Sequence, residues 1–235
     1  MAVASPRLLT LAYARRHPAQ DLADPAVERY RWLLLLRFVL LNLASLALLG
    51  GAWAGGWLDA VLAADGTGLC ALIAAVFLVG LGRAGERVWR LSRELNDLAH
   101  GRSGAASKVG EHLARLAQAD APARATLAAT LRLKLAQRIG GVKHIAASLV
   151  LLGLIGTVVG FVIALSGVDP RNAADPASVG PMVSTLIAGM STALYTTLVG
   201  AVLNIWLMLN YRILEGGAVH LYTRLVELGE QHGRA

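Results

Sequence analysis

"GMSTALYTTLVGAVLN" (residues 189–204) sits within an uncharged run over 176–211 and carries three threonines, a serine and an asparagine. A bilayer core of about 30 Å takes roughly 20 helical residues to cross, so the run is long enough to span it. Hydroxyls have little use on a lipid-facing helix, because polarity inside a membrane needs a protein or water partner. Working outward, residues 38–58, 66–82 and 145–168 are also free of charge. The chain of 235 residues is 56% hydrophobic and 16% charged, with a mean hydropathy of +0.56. A soluble domain of this size carries more charge than that. These features predict an all-α, polytopic membrane protein with four transmembrane helices and helical cytoplasmic extensions.

The net charge of +7 is a topology signal rather than a nucleic-acid footprint. Residues 1–31 hold five Arg, 50–67 hold no Lys or Arg, 83–144 hold twelve, 167–181 hold one and the tail after Tyr211 holds three. That alternation is the positive-inside bias of four spans with both termini and the middle segment in the cytoplasm, with a weaker attraction to anionic lipid headgroups. No aromatic-interleaved basic patch points to nucleic acid. Some 30 Arg- and Pro-containing residues precede the first run and no clear small-x-small cleavage site closes it, so it fits a signal peptide poorly. Cys70 is the single cysteine, which excludes a disulfide framework and a cysteine metal site.

The chain then divides into an N-terminal cytoplasmic segment (1–31), spans one and two (32–82), a cytoplasmic helical segment (83–144), spans three and four (145–211) and a short C-terminal helix (212–235). Residues 1–30 read as an amphipathic helix broken at His17-Pro18, with a new helical start at Asp24-Pro25. "GGAWAGGWLDAVLAADG" (50–66) reads as a turn whose Trp53 and Trp57 suit an interfacial aromatic belt. Leu91, Leu95 and Leu98 share one face of the cytoplasmic segment. Leu113, Leu116, Leu127, Leu131 and Leu135 mark later amphipathic turns around a break at "HGRSGAASKVG". About 60 residues make only a small core, so this segment needs neighbours to pack against.

Placed on a helix at 100° per residue, the fourth run gathers Gly189, Thr192, Ala193, Thr196, Thr197 and Gly200 on one arc of about 140°. Asn204 extends that arc by a turn. Met190, Leu194, Tyr195, Leu198 and Val202 fall on the other side. The third run carries a stripe of Ala146, Gly153, Gly156, Thr157, Gly160, Ala164 and Gly167, with Leu149 its one bulky member. Small residues let helices approach closely in lipid, and Ser or Thr can bond back to their own helix. Packing therefore accounts for Gly153, Gly156, Gly160, Gly189, Ala193 and Gly200. For Thr157, Thr192, Thr196 and Thr197 two readings stand side by side, packing and the lining of a narrow wet path.

"LLGLIGTVVGFVIAL" (151–165) and "GMSTALYTTLVG" (189–200) resemble the two signature segments of the MotA/TolQ/ExbB proton-channel family. The shared patterns are LGLxGTVxG in span three and GxxxALxTTxxG in span four, in the same order and joined by a short loop. The resemblance covers residues 140–212 closely and the rest in outline. It implies a homopentamer around a single-span MotB/TolR/ExbD-like partner in the bacterial inner membrane, with ion flow driving mechanical work. It also implies that Thr157 and Thr197 border an ion path beside an essential aspartate of that partner. Independently, spans three and four contain no Asp, Glu, Lys, Arg or His, and a proton relay needs a titratable group. A carboxylate would have to come from another chain.

The sequence departs from the family pattern in three places. TolQ- and ExbB-type members carry an acidic residue where this chain has Thr192, and a proline common after the fourth-span motif is replaced near Trp206. Four spans match the flagellar-stator branch, whereas the cytoplasmic segment is short for it. A non-conducting membrane scaffold is the alternative reading. An enzyme is disfavoured, since His17, His100, His112, His144, His220 and His232 lie outside the spans without ligand-like spacing, and no nucleophile–base pair or phosphate loop appears. No cofactor is expected, and membrane lipid is.

Overall fold

The computed structural model describes residues 25–99, 121–168 and 176–233. Among them are five helices and no strand: α1 Pro25–Ala54, α2 Trp57–Ala64, α3 Leu69–Ala99, α4 Ala121–Ser166 and α5 Pro176–Gly233. The break expected at His17-Pro18, the leucines Leu113 and Leu116, and the "HGRSGAASKVG" segment lie outside the described residues. Four helices are long and apolar enough to cross a membrane, over Leu33–Ala54, Leu69–Leu95, Ala125–Ser166 and Pro176–Glu227. The protein is thus an all-helical, multi-pass membrane protein.

Proline marks two helix starts. Pro25 and Pro176 stand first in α1 and α5, where a missing N–H costs nothing and the fixed φ is already helical. Pro181 lies inside α5, and the Thr185 hydroxyl donates to its carbonyl at 3.1 Å. One feature differs from the sequence reading: the connection expected to be a turn contains α2, an eight-residue helix. The helix expected from 212 onward directly continues α5, which runs unbroken to Gly233. Leu214, Glu215, Ala218, Leu221, Arg224 and Leu225 favour helix, and neither Gly216 nor Gly217 adopts a positive φ that would end it.

The chain forms two compact units. One comprises 38–87 and 135–216 and holds the uncharged runs. Its interior includes Ile73, Phe77, Ala84, Leu149 and Leu207. Span one contributes little to it: Val39, Leu40, Leu43, Leu46, Leu48 and Leu49 are all exposed on the protomer. The other unit includes 88–99, 121–134 and 217–233 with the start of α1. Val88, Leu91 and Leu95 on α3, Ala218, Leu221 and Leu225 on α5, and Leu34 on α1 are buried there at helical spacing. A methyl group added at Gly217 would lie 2.7 Å from a Leu34 methyl and 2.8 Å from a Leu91 methyl, so α1, α3 and α5 meet at this glycine.

Candidate functional site

The glycines of span three meet the small residues of span four in antiparallel register. Gly167 lies against Thr185, Gly160 against Gly189 and Ala193, Gly156 against Thr196, and Gly153 against Thr196, Thr197 and Gly200. The contacts are largely backbone to backbone. A Cβ on Gly160 would stand 2.6 Å from both Ala193 N and Gly189 O, and one on Gly200 would stand 2.7 Å from Leu149 O. Such approach is open only to glycine, and in lipid it supplies the dispersion contact that the hydrophobic effect cannot. Ile155, Val158, Val162, Met190, Leu194, Leu198 and Val202 point away and are exposed.

The four threonines of interest divide into two pairs. Thr196 is wholly buried against Gly156, and its hydroxyl donates to Thr192 O at 2.9 Å and Ala193 O at 3.1 Å on its own helix. Thr192 is 6% exposed. Its hydroxyl donates to Ala64 O at 2.8 Å, at the end of α2, and to Ala188 O at 3.1 Å. Thr157 and Thr197 are on the outside: the first is half-buried and the second exposed. Thr197 Oγ1 donates across the helix pair to Gly153 O at 3.0 Å. That carbonyl belongs to the turn beneath Thr157, since an α-helix pairs the N–H of residue i with the C=O of i−4. Thr157 Oγ1 donates to Leu154 O at 2.6 Å.

The structure therefore brings Thr157 and Thr197 to one turn of one face, with Thr192 and Thr196 behind it. In all four the hydroxyl hydrogen is already given to a carbonyl, so what remains is the oxygen's acceptor capacity. An outward Thr157 or Thr197 can accept a hydrogen bond from a protonated acid or a hydrated proton while keeping its own bond. No member of the group is titratable, and no cluster of three or more His, Cys, Asp or Glu among the described residues could hold a metal ion.

A second polar group escaped the sequence reading. Asn42 on span one, Trp206 and Asn210 on span four form a closed cluster inside the same unit. Asn42 Nδ2 donates to Phe38 O and Asn210 Oδ1, both at 2.8 Å. Asn42 Oδ1 accepts from Trp206 Nε1 at 2.9 Å and from Asn210 Nδ2 at 3.4 Å. Asn210 Nδ2 also donates to Trp206 O at 3.0 Å. Asn210 is completely buried, and the Trp206 ring packs on Phe77 with centroids 4.9 Å apart. The available signal was the lone amide in the leucine run of span one, since a polar residue there needs a named partner.

Residues 113–226 match the MotA/TolQ/ExbB proton channel family. The matched stretch takes in spans three and four with the glycine register and all four threonines, while spans one and two lie outside it. No curated protein and no solved structure matches the chain. The match over this stretch, whose two signature segments form the closely packed helix pair, supports membership of the MotA/TolQ/ExbB proton channel family.

Proposed function

We propose that the chain is the channel-forming subunit of a proton-driven complex in the bacterial inner membrane, a homopentamer around a single-span partner that supplies the essential aspartate. Ion flow through that assembly performs mechanical work at a distance. The observation that carries the reading is the outward turn made by Thr157 and Thr197, tied together through Gly153 O on a face without any ionisable residue. Such a face can stabilise a protonated carboxyl group from another chain without competing for the proton. Thr192 and Thr196 stand behind the path and fix the helix that bears Thr197. By the arginine distribution, both termini and 83–144 face the cytoplasm.

The test is substitution of Thr157 or Thr197 by Val, which keeps the volume and removes the acceptor. Losing one hydrogen bond at a buried site costs roughly 1–3 kcal/mol, enough to slow a gated proton step by one or two orders of magnitude. Thr→Ser at either position keeps the oxygen and is expected to be milder. Proton flux through the assembled complex is measured alongside co-purification of the partner. Normal flux in both Val variants, with the partner bound, would return these threonines to a packing role. The glycine contacts alone favour the second reading, a non-conducting scaffold, and that result would support it.

A further inference from the structure

Helix α2 is bracketed by Gly56 and Gly68, whose φ angles of 74° and 71° are the only positive ones among the described residues. None of its own residues is buried, and Trp57 and Leu62 are exposed, as suits a short segment lying in a membrane interface. Its last turn is held to span four by a side chain: Thr192 Oγ1 donates to Ala64 O at 2.8 Å. Beyond that turn, Asp65 fixes the start of α3, its Oδ1 accepting from Thr67 Oγ1 at 3.3 Å and its Oδ2 from Ala71 N at 3.2 Å.

The tie to Thr192 is of a kind that can be let go. The same hydroxyl hydrogen lies within reach of Ala188 O at 3.1 Å on its own helix. If Ala64 withdraws, the donor passes wholly to that i−4 carbonyl and no buried group is orphaned. Because α2 has no buried side chain, its departure also forfeits little apolar burial. The two glycines can absorb the change in backbone direction without a Cβ penalty. The amide cluster of Asn42, Trp206 and Asn210 has no such alternative, since Asn210 Oδ1 would be stranded in the interior if Asn42 left it. Spans one and four are thus fastened permanently at that cluster and reversibly at α2.

The geometry points to α2 as a latch. Shut, it holds the Thr192 hydroxyl beneath the Ala64 carbonyl; open, it uncovers Thr192 and lets water reach the turn that Thr192 shares with buried Thr196. Its role as a gate on the ion path rests on the channel reading above, whereas its motion does not.

The experiment is amide hydrogen exchange on the full chain with its partner in lipid nanodiscs, paired with proton flux through the same complex in vesicles. Thr192→Val removes the donor at constant volume, and exchange across 57–68 is expected to quicken roughly five- to tenfold. Thr192→Ser is expected to exchange like the parent. Unchanged protection at 206–212 shows that spans one and four remain packed in each variant. Parental exchange across 57–68 in Thr192→Val overturns the latch, as does equal acceleration at 206–212. With the latch opened, proton leak is expected to rise severalfold; a leak at the parental level overturns the gate. If no form conducts, the parent included, the channel reading falls, and the exchange data still decide the latch.

Discussion

Removing the two asparagines of the polar cluster is expected to have unequal effects, although they form one pair. Asn42→Leu orphans two buried groups, the Trp206 indole N–H and Asn210 Oδ1, because each has its bond to Asn42. Asn210→Leu orphans none: Asn42 Nδ2 keeps Phe38 O and its Oδ1 keeps the indole. A stranded buried group costs roughly 1–3 kcal/mol in general. Hydrogen bonds between membrane helices measure lower, about 0.6 kcal/mol on average and at most about 1.7. Asn42→Leu should therefore cost about 1–3 kcal/mol and Asn210→Leu less than about 1 kcal/mol. The double variant leaves only the indole unpaired, so it should be more stable than Asn42→Leu alone, a coupling of opposite sign to simple addition. Leucine favours lipid equally at both positions and cancels from the comparison. Reversible unfolding in bicelles gives all three values. An Asn210→Leu variant as costly as Asn42→Leu, or a double variant worse than the sum, would refute the assignment of partners.

Three further outcomes are expected. Gly160→Ala puts a methyl 2.6 Å from Ala193 N and Gly189 O and should cost about 1–3 kcal/mol as overpacking; Gly140→Ala, with nothing within 4 Å of the new methyl, should gain roughly 0.5–1 kcal/mol of helix stability, both read from thermal unfolding. Ser92 is buried with no hydrogen-bond partner for Oγ among the described residues, so Ser92→Ala should be neutral or stabilise by about 1 kcal/mol, and a loss in thermal unfolding would reveal a partner. Cysteines placed at Ser178 and Ser107 report orientation: in whole cells an impermeant thiol reagent should label the first and spare the second, and the reverse would overturn the four-span topology.

The helix spans and the small-residue stripes were legible because both are periodic and local. The 100° spacing that groups Gly153, Gly156 and Gly160 needs no knowledge of the partner, and the same glycines lie at the contact with span four. The division among the threonines was not legible. An arc of about 140° is wider than the strip two closely packed helices can share, so its edge at Thr197 emerges outside while Thr196 is sealed within. Helix α2 was hidden by glycines and tryptophans that read as a turn, yet "WLDAVLAA" between them has enough helix formers for two turns. The amide cluster was further out of reach, since Asn42 and Asn210 are 168 positions apart and neither shows its partner in its own neighbourhood.

The backbone contact between spans three and four also limits how such a protein can move. Side chains that interdigitate can change rotamer and let two helices slide. Gly160 meets Gly189 O and Ala193 N directly, leaving no flexible layer to take up shear. Slipping the pair by one turn, about 5.4 Å, would drive the Thr196 or Thr197 backbone toward the notch at Gly160, where a branched side chain has no room. Interlocked surfaces of this kind have one seating and no smooth path out of it. On the proposed channel reading, any displacement an ion produced would carry both helices together as a single rigid tooth, with the compliance lying in the joints around it.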